Sequence, residues 1–352
     1  MADEADDEIL CERRGAAGLV TLNRPQALNA LTLGMVARLR QALDAWAQEP
    51  GIACIVLRAA GRAFCAGGDI RRLHDDARGG RGEAVDAFWR AEYALNALIH
   101  RYHKPIVSLI DGIVMGGGVG LSLHGSHRVA GERYAFAMPE VGIGFFPDVG
   151  ATYALPRLPD AVGVYLALTG ERIGRGDALA VGLATHAAPA VSFEAIAEAL
   201  AAGGAVEEVL ARHAPADPPA PGPVAAARAL IAACFGEGDV AEVLARLDAA
   251  AAQGSDFAAQ AAATIRTRSP TSLGVACEQM RRGGALSFPE AMRTEYRIVT
   301  RILQGHDFFE GVRAVIIDKD GAPRWNPAGL DAVTPEVVAA YFAALPDEPR
   351  FT

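Results

Sequence analysis

KPIVSLIDGIVMGGGVGLSLHG, residues 104–125, contains the turn on which the fold is decided. Its opening, KPIVSLIDG, is almost wholly apolar in the middle, the pattern of a strand buried on both faces. IVMGGGVGLSLHG then carries the chain into three consecutive glycines, Gly116 to Gly118. Such a run costs backbone entropy. It makes sense where a helix N-terminus must come within hydrogen-bonding distance of a ligand, with amides aimed at negative charge. The spacing is not that of a dinucleotide fingerprint, and the lysine of a P-loop is missing.

The same strand-and-helix grammar runs upstream. ILCERR and GLVTLNR read as two short strands joined through GAAG, a hairpin signal. Thr32 stands where it can cap a helix whose apolar stripe is Val36, Leu39, Leu43 and Trp46, ending before Pro50. IACIVLR, residues 52–58, is another buried strand. GRAFCAGGDIRRL, residues 61–73, is a second small-residue turn, leading into a helix capped by Asp69. Its small residues let the backbone approach a ligand, although an ordinary tight loop would look the same. Residues 83–101 read as a helix with Val85, Phe88, Leu95 and Ile99 on one face. Glu92 falls on that face, either as a boundary residue reaching for water or as the lining of a polar cavity.

Downstream, HRVAG and YAFAMPE are short strands that deliver MPEVGIGFFPDVG, residues 138–150. Glu140 and Asp148 lie in this segment among glycines, prolines and two phenylalanines. A buried carboxylate without partners is costly, so it either finds them or sees its pKa rise into the range useful for proton transfer. Asp148 has a plainer alternative as the N-cap of the helix that ATYALPRL begins. Glu140 has only the alternative of ending a strand.

With 352 residues, half of them hydrophobic, the chain can bury a substantial core. A formal net charge of -9 argues against a nucleic-acid partner, which needs a basic surface. Five cysteines without CxxC spacing fit a reducing compartment better than disulfides or zinc. MADEADDEIL has the wrong charge for a leader, and the longest apolar run, residues 106–123, is broken by Asp111 and glycines. A cytoplasmic protein without a membrane span is expected. The organisation expected is an acidic tail over 1–8, a core bearing the active site over 9–203, and a proline-rich connector over 204–223. A helical region over 224–352 completes it, with helices such as PVAAARALIAACF, VAEVLARLDAAAA, SPTSLGVACEQM and PEAMRTEYRIVTRIL.

Two glycine turns that each deliver a free amide can hold an oxygen that becomes negative during reaction, and losing one such donor costs about 3 kcal/mol in other enzymes. Set beside Glu140, they suggest acyl chemistry. No GxSxG elbow is present, and neither Cys65 nor any histidine sits in a triad-like motif. His74, His100, His103, His124 and His127 show no HExxH spacing and read as surface or structural, so no metal is expected. A glycosidase pair of acids would leave both glycine turns unexplained.

At these residues the sequence resembles the crotonase (enoyl-CoA hydratase/isomerase) superfamily: LNRPQALNAL, AFCAGGDI, GIVMGGGVGLS and the Pro139-Glu140 region match its motifs in order. Within it, the chain is similar to the 3-hydroxyisobutyryl-CoA hydrolase branch, nearly end to end. The marks are EYALN, MGGGVGLS, MPEVGIGFFPDVG, SPTSL, and HDFFEGVRAVIIDKD with RWNP. The resemblance implies an α/β fold, a crotonase-like spiral of ββα units with a C-terminal α-helical region. It implies a thioester whose carbonyl oxygen is held by the amides of Gly68 and Gly117, with Glu140 as the main catalytic carboxylate. Asp148 would bind the substrate's 3-hydroxyl or assist proton transfer. Glu92, Ala66 and Ile70 would line the substrate pocket.

Coenzyme A is then part of the substrate and no separate cofactor is implied. The implied activity is hydrolysis of a short 3-hydroxyacyl-CoA, 3-hydroxyisobutyryl or 3-hydroxypropionyl, in valine catabolism. One departure separates this from hydration: hydratases carry a glutamate three residues after the oxyanion glycine, and here that position is Gly120. The alternatives are an enoyl-CoA hydratase or isomerase and, from another class, a non-catalytic acyl-CoA-binding protein. Arg24, Arg71 and Lys319 are candidate partners for the coenzyme A phosphates. Assembly as a homo-oligomer is left open, since the C-terminal helices can cover their own subunit or a neighbour.

Overall fold

The structure, a computed structural model, describes residues 8–351. The expected acidic tail lies, apart from Glu8, outside the described residues. The chain forms two compact units, each assembled from separated stretches. The first takes the residues up to Asp69, Ala91–Phe136 and Ile173–Gly222; the second takes Ile70–Arg90, Ala137–Arg172 and everything from Pro223. The 9–203 stretch expected as one core is therefore divided between them.

The first unit is built on strands β1 (Ile9–Arg14), β2 (Ala17–Leu22), β3 (Cys54–Ala59), β4 (Ala63–Cys65), β5 (Ile106–Ile110) and β6 (Ile113–Met115). The later strands are β7 (His127–Ala130), β8 (Ala135–Ala137), β9 (Ile173–Gly174) and β10 (His186–Ala187). Six of them form a sheet in the order β1-β2-β3-β5-β7-β10, and the other four form a second in the order β4-β6-β8-β9. The β1–β2 pair is the antiparallel hairpin its sequence announces, and the pairs from β2 onward in the large sheet are parallel. β3 begins at Cys54 rather than Ile52, because the Ile52 amide closes a turn on the Glu49 carbonyl at 3.1 Å.

Alternation along the strands explains both faces of that sheet. Leu19, Val56, Val107, Leu109 and Val129 point to one side, where Ile196, Leu200, Val209 and Leu210 complete the core. These last come from the helices Phe193–Ala201 and Val206–Arg212. The start of the expected proline-rich connector is thus helical and part of a core. On the opposite side, Trp46 of the helix Leu33–Ala47 lies against Gly18, and Thr32 caps that helix by accepting from the Met35 amide at 3.2 Å. This is the α/β layering expected.

The second unit is helical. Its long elements are Val240–Ala252, Asp256–Arg266, Pro270–Gly283 and Phe288–Ile302. Their starts follow local rules: Asp239 with Glu242 and Ser287 with Glu290 form capping boxes, and Ser269 caps a helix that opens on proline. The Phe288–Ile302 helix buries Ala291, Met292, Tyr296, Ile298, Val299 and Ile302 along one stripe, and in the middle of that stripe sits Glu295, fully buried. No helix among the described residues is long and apolar enough to cross a membrane.

Candidate active site

The first unit brings the two glycine turns together. Leu31 and Gly68 form an isolated parallel bridge, in which the Leu31 amide donates to the Gly67 carbonyl at 2.8 Å and the Asp69 amide to the Leu31 carbonyl at 2.9 Å. Such a bridge uses the groups on either side of Gly68 and leaves the Gly68 N–H over. Gly117 opens the short helix Gly117–Ser122 behind Gly116, whose φ is 45°, so its amide belongs to the first turn, where no intrahelical acceptor exists. A Cβ on Gly117 would stand 2.5 Å from Glu92 Oε1, 2.9 Å from Leu31 Cδ1 and 3.3 Å from the Gly68 nitrogen. The Gly68 amide, the Gly117 backbone and the Glu92 carboxyl therefore surround one small space, which only glycine at 117 keeps open.

Glu92 is 1% exposed, which overturns its reading as a boundary residue reaching for water. One turn on, Asn96 is also fully buried, so EYALN sets two polar side chains into a buried helix face. Ala66 is half-buried just before the glycine pair, its amide bound to the Leu28 carbonyl. Ile70, also half-buried, is the first residue of the helix Ile70–Arg78 and belongs to the second unit.

The second unit holds the acids. Glu140 begins a single turn of 3₁₀-helix, Glu140–Ile143, and is 7% exposed, with no hydrogen-bond partner for Oε2 among the described residues. The chain then runs into Phe145, whose ring lies 5.4 Å from Trp89, 4.8 Å from Phe146 and 5.6 Å from Phe308. Burial, and after it the like charge of Asp148, push the Glu140 carboxyl well above its ordinary range. Asp148 is itself 3% exposed.

Asp148 is not a helix cap. The helix Ala151–Ala154 has Gly150 at its N-cap, with φ of 91°, and the side chain that meets its start is Glu295. Glu295 Oε2 accepts from the Gly150 amide at 2.8 Å and Oε1 from the Thr152 amide at 2.9 Å. A side chain 145 residues away in sequence has taken the capping role, which leaves the Asp148 carboxylate out of it. Gln279 completes the hold, its Nε2 donating to the Pro147 carbonyl and to Thr152 Oγ1, both at 2.6 Å. Between these contacts Val149 takes a φ of 54°, a left-handed conformation that costs a side-chain-bearing residue about 1–2 kcal/mol. Burial and the Asp148 charge push the Glu295 carboxyl up to about 8, while its two main-chain donors pull the other way. The sequence reading missed Glu295. The signal that could have found it is the one that singled out Glu92, an acid in the middle of an apolar helical stripe.

The Glu140 turn is anchored just as remotely. The Ser269 amide donates to the Val141 carbonyl at 3.2 Å. Gly144, at φ of 69°, lies so close to the Asp307 carbonyl that a Cβ would stand 2.1 Å from it. Asp307 in turn accepts from Ser269 Oγ at 2.6 Å and from the Asn326 amide at 2.8 Å. SPTSL, HDFFEG and RWNP, three of the quoted marks, thus meet at one buried carboxylate behind the Glu140 turn. Arg313 ties Glu310, Asp318 and Asp320 together in the same tail.

The other candidates are placed as follows. Arg24 bridges Glu8 and Asp69, at 2.9 Å each, and is 18% exposed, while Arg71 and Lys319 are exposed. Burial pushes the Cys65 thiol up to about 12, so it carries no thiolate near neutrality.

Residues 17–342 match the enoyl-CoA hydratase/isomerase family. The chain is 43% identical over 349 residues to "3-hydroxyisobutyryl-CoA hydrolase, mitochondrial" of Xenopus tropicalis, covering 97% of this chain and 90% of the relative. The human protein of that name is 41% identical over 351 residues, with 97% and 90% covered. Among solved structures, a carnitinyl-CoA dehydratase from Mycobacterium thermoresistibile superposes with a TM-score of 0.91 at 42% identity, over 98% of both chains. An enoyl-CoA hydratase from Rhodobacter sphaeroides 2.4.1 gives 0.88 at 42%, over 96% of this chain and 98% of its own. This chain belongs to the enoyl-CoA hydratase/isomerase family.

Proposed function

We propose that the protein hydrolyses the thioester of a short 3-hydroxyacyl-CoA, foremost 3-hydroxyisobutyryl-CoA, releasing the free acid and coenzyme A. The observation that carries this is Glu140, a buried carboxyl with an unpartnered oxygen and a raised pKa, in a chain that also offers two amides to a developing oxyanion. The names of the relatives at 41–43% identity support the same substrate. In this reading the Gly68 and Gly117 amides hold the carbonyl oxygen and Glu140 acts at the carbonyl carbon. Glu140 does so by direct attack, giving a mixed anhydride that water then cleaves, or by taking a proton from the attacking water. Label found in the Glu140 carboxylate after a single turnover in ¹⁸O-water would identify the anhydride route, with water attacking the glutamyl carbonyl. Asp148 orients the 3-hydroxyl or relays a proton, and Glu92, Ala66 and Ile70 line the acyl site.

A second reading, hydration of a carbon–carbon double bond, has support from the titles of the two solved structures at 42% identity. Against it, the residue three after Gly117 is Gly120, which supplies no acid or base. The test is a thiol-release assay on 3-hydroxyisobutyryl-CoA beside a hydration assay on crotonyl-CoA. Free coenzyme A from the first, with no change in the second, is expected; hydration without thiol release would overturn the assignment. The cytoplasmic setting and the place in valine breakdown go with this reading. No disulfide is formed among the described residues, which fits a reducing compartment, and cell fractionation tests the location.

A further inference from the structure

We infer that Glu295 and Gln279 are positioning residues for catalysis, which hold the turn that carries Asp148 in a single conformation. The inference rests on the thioesterase reading above and extends it to two side chains in the C-terminal helices.

Residues 147–152 are gripped at both ends by side chains that are themselves fully buried: Gln279 holds the Pro147 carbonyl and the Thr152 hydroxyl, and Glu295 holds the Gly150 and Thr152 amides. Asp148 sits between those grips. Two consecutive left-handed residues, Val149 and Gly150, follow it, and such a turn persists only where its surroundings over-determine it. The choice of glutamate is informative. A third buried carboxyl close to Asp148 is electrostatically unfavourable, and a helix start can be capped by a neutral serine or asparagine. A carboxyl group sets two oxygens on one carbon, spaced to meet the Gly150 and Thr152 amides together. Glutamine at this position would turn an N–H group towards one of those amides.

The experiment uses the full chain with Glu295→Gln and, separately, Gln279→Met, an apolar replacement of similar length that removes the donor to Pro147. For each, kcat and KM on 3-hydroxyisobutyryl-CoA are measured together with hydrogen exchange at the Gly150 and Thr152 amides. The expected result is a kcat lowered at least tenfold with KM within threefold, and faster exchange at those two amides while the Phe288–Ile302 helix stays protected. A variant that folds, turns over within twofold of the parent and keeps both amides protected would overturn the inference. So would a loss confined to KM. If Glu295→Gln does not fold, Gln279→Met decides by the same criteria. Should the unmodified protein release no coenzyme A, the functional reading fails by itself, and the amide exchange still decides whether these side chains hold the turn.

Discussion

The two amide-bearing turns and the two acid-bearing turns are held by different means. The Gly68 and Gly117 turns are made by backbone geometry close at hand: a bridge to Leu31, a helix start after Gly116, and glycines that let the strands crowd together. The Glu140 and Asp148 turns are held by groups more than 120 residues further along: the Ser269 amide, the Gln279 and Glu295 side chains and the Asp307 carbonyl. Oxyanion donors need only a rigid main chain, whereas a buried acid must be aimed and have its charge managed, which calls for polar groups inside a core. The C-terminal helices therefore hold the turns that carry these acids.

The comparison breaks most easily at Gly117. Gly117→Ala puts a methyl into the space shared by the Glu92 carboxyl and the Gly68 amide, and kcat should fall by about 10² to 10³, the loss typical of one oxyanion donor. Circular dichroism should be unchanged, because the nearest atoms include the movable ends of Glu92 and Leu31.

On the acid side the expected effect is a shift in pH dependence. Glu140 must be ionised to act, and its carboxyl is raised by burial and by Asp148, so activity should climb with pH only well above the usual carboxylate range. Asp148→Asn removes the like charge, and the acidic limb measured on kcat/KM for whatever activity remains should move to lower pH. A limb that stays in place would mean that the two acids do not sense each other.

A smaller effect concerns stability. Glu295 titrates near 8 when folded against 4.5 ordinarily, so between those values the folded state binds more protons than the unfolded one. Stability should then fall as pH rises through that window, by up to about 1.4 kcal/mol per pH unit from this group. Urea unfolding at pH 5 and pH 8 should show a weaker decline for Glu295→Gln than for the parent. Smallest of all, Cys65→Ser should leave kcat within about threefold, since a thiol held near 12 supplies no nucleophile.

What the sequence disclosed follows the same division. The hairpin, the Thr32 cap, the buried strands and both glycine turns were legible because their causes lie within a few residues of each other. Glu140 and Glu92 were legible as acids in apolar company. For Asp148 the sequence left a helix cap open as the plainer alternative, because an aspartate before a helix start is locally sufficient, and nothing near it shows that Glu295 takes those amides instead. SPTSL, HDFFEG and RWNP could be noticed as marks but not explained, since their meeting at Asp307 is a tertiary event.

Thiol release by Glu140→Gln, measured beside the parent on 3-hydroxyisobutyryl-CoA, bears on the central claim most directly. Loss of turnover by at least about 10³, with the thioester still bound, is the result predicted for a carboxylate that acts on the carbonyl. Turnover within tenfold of the parent would contradict it.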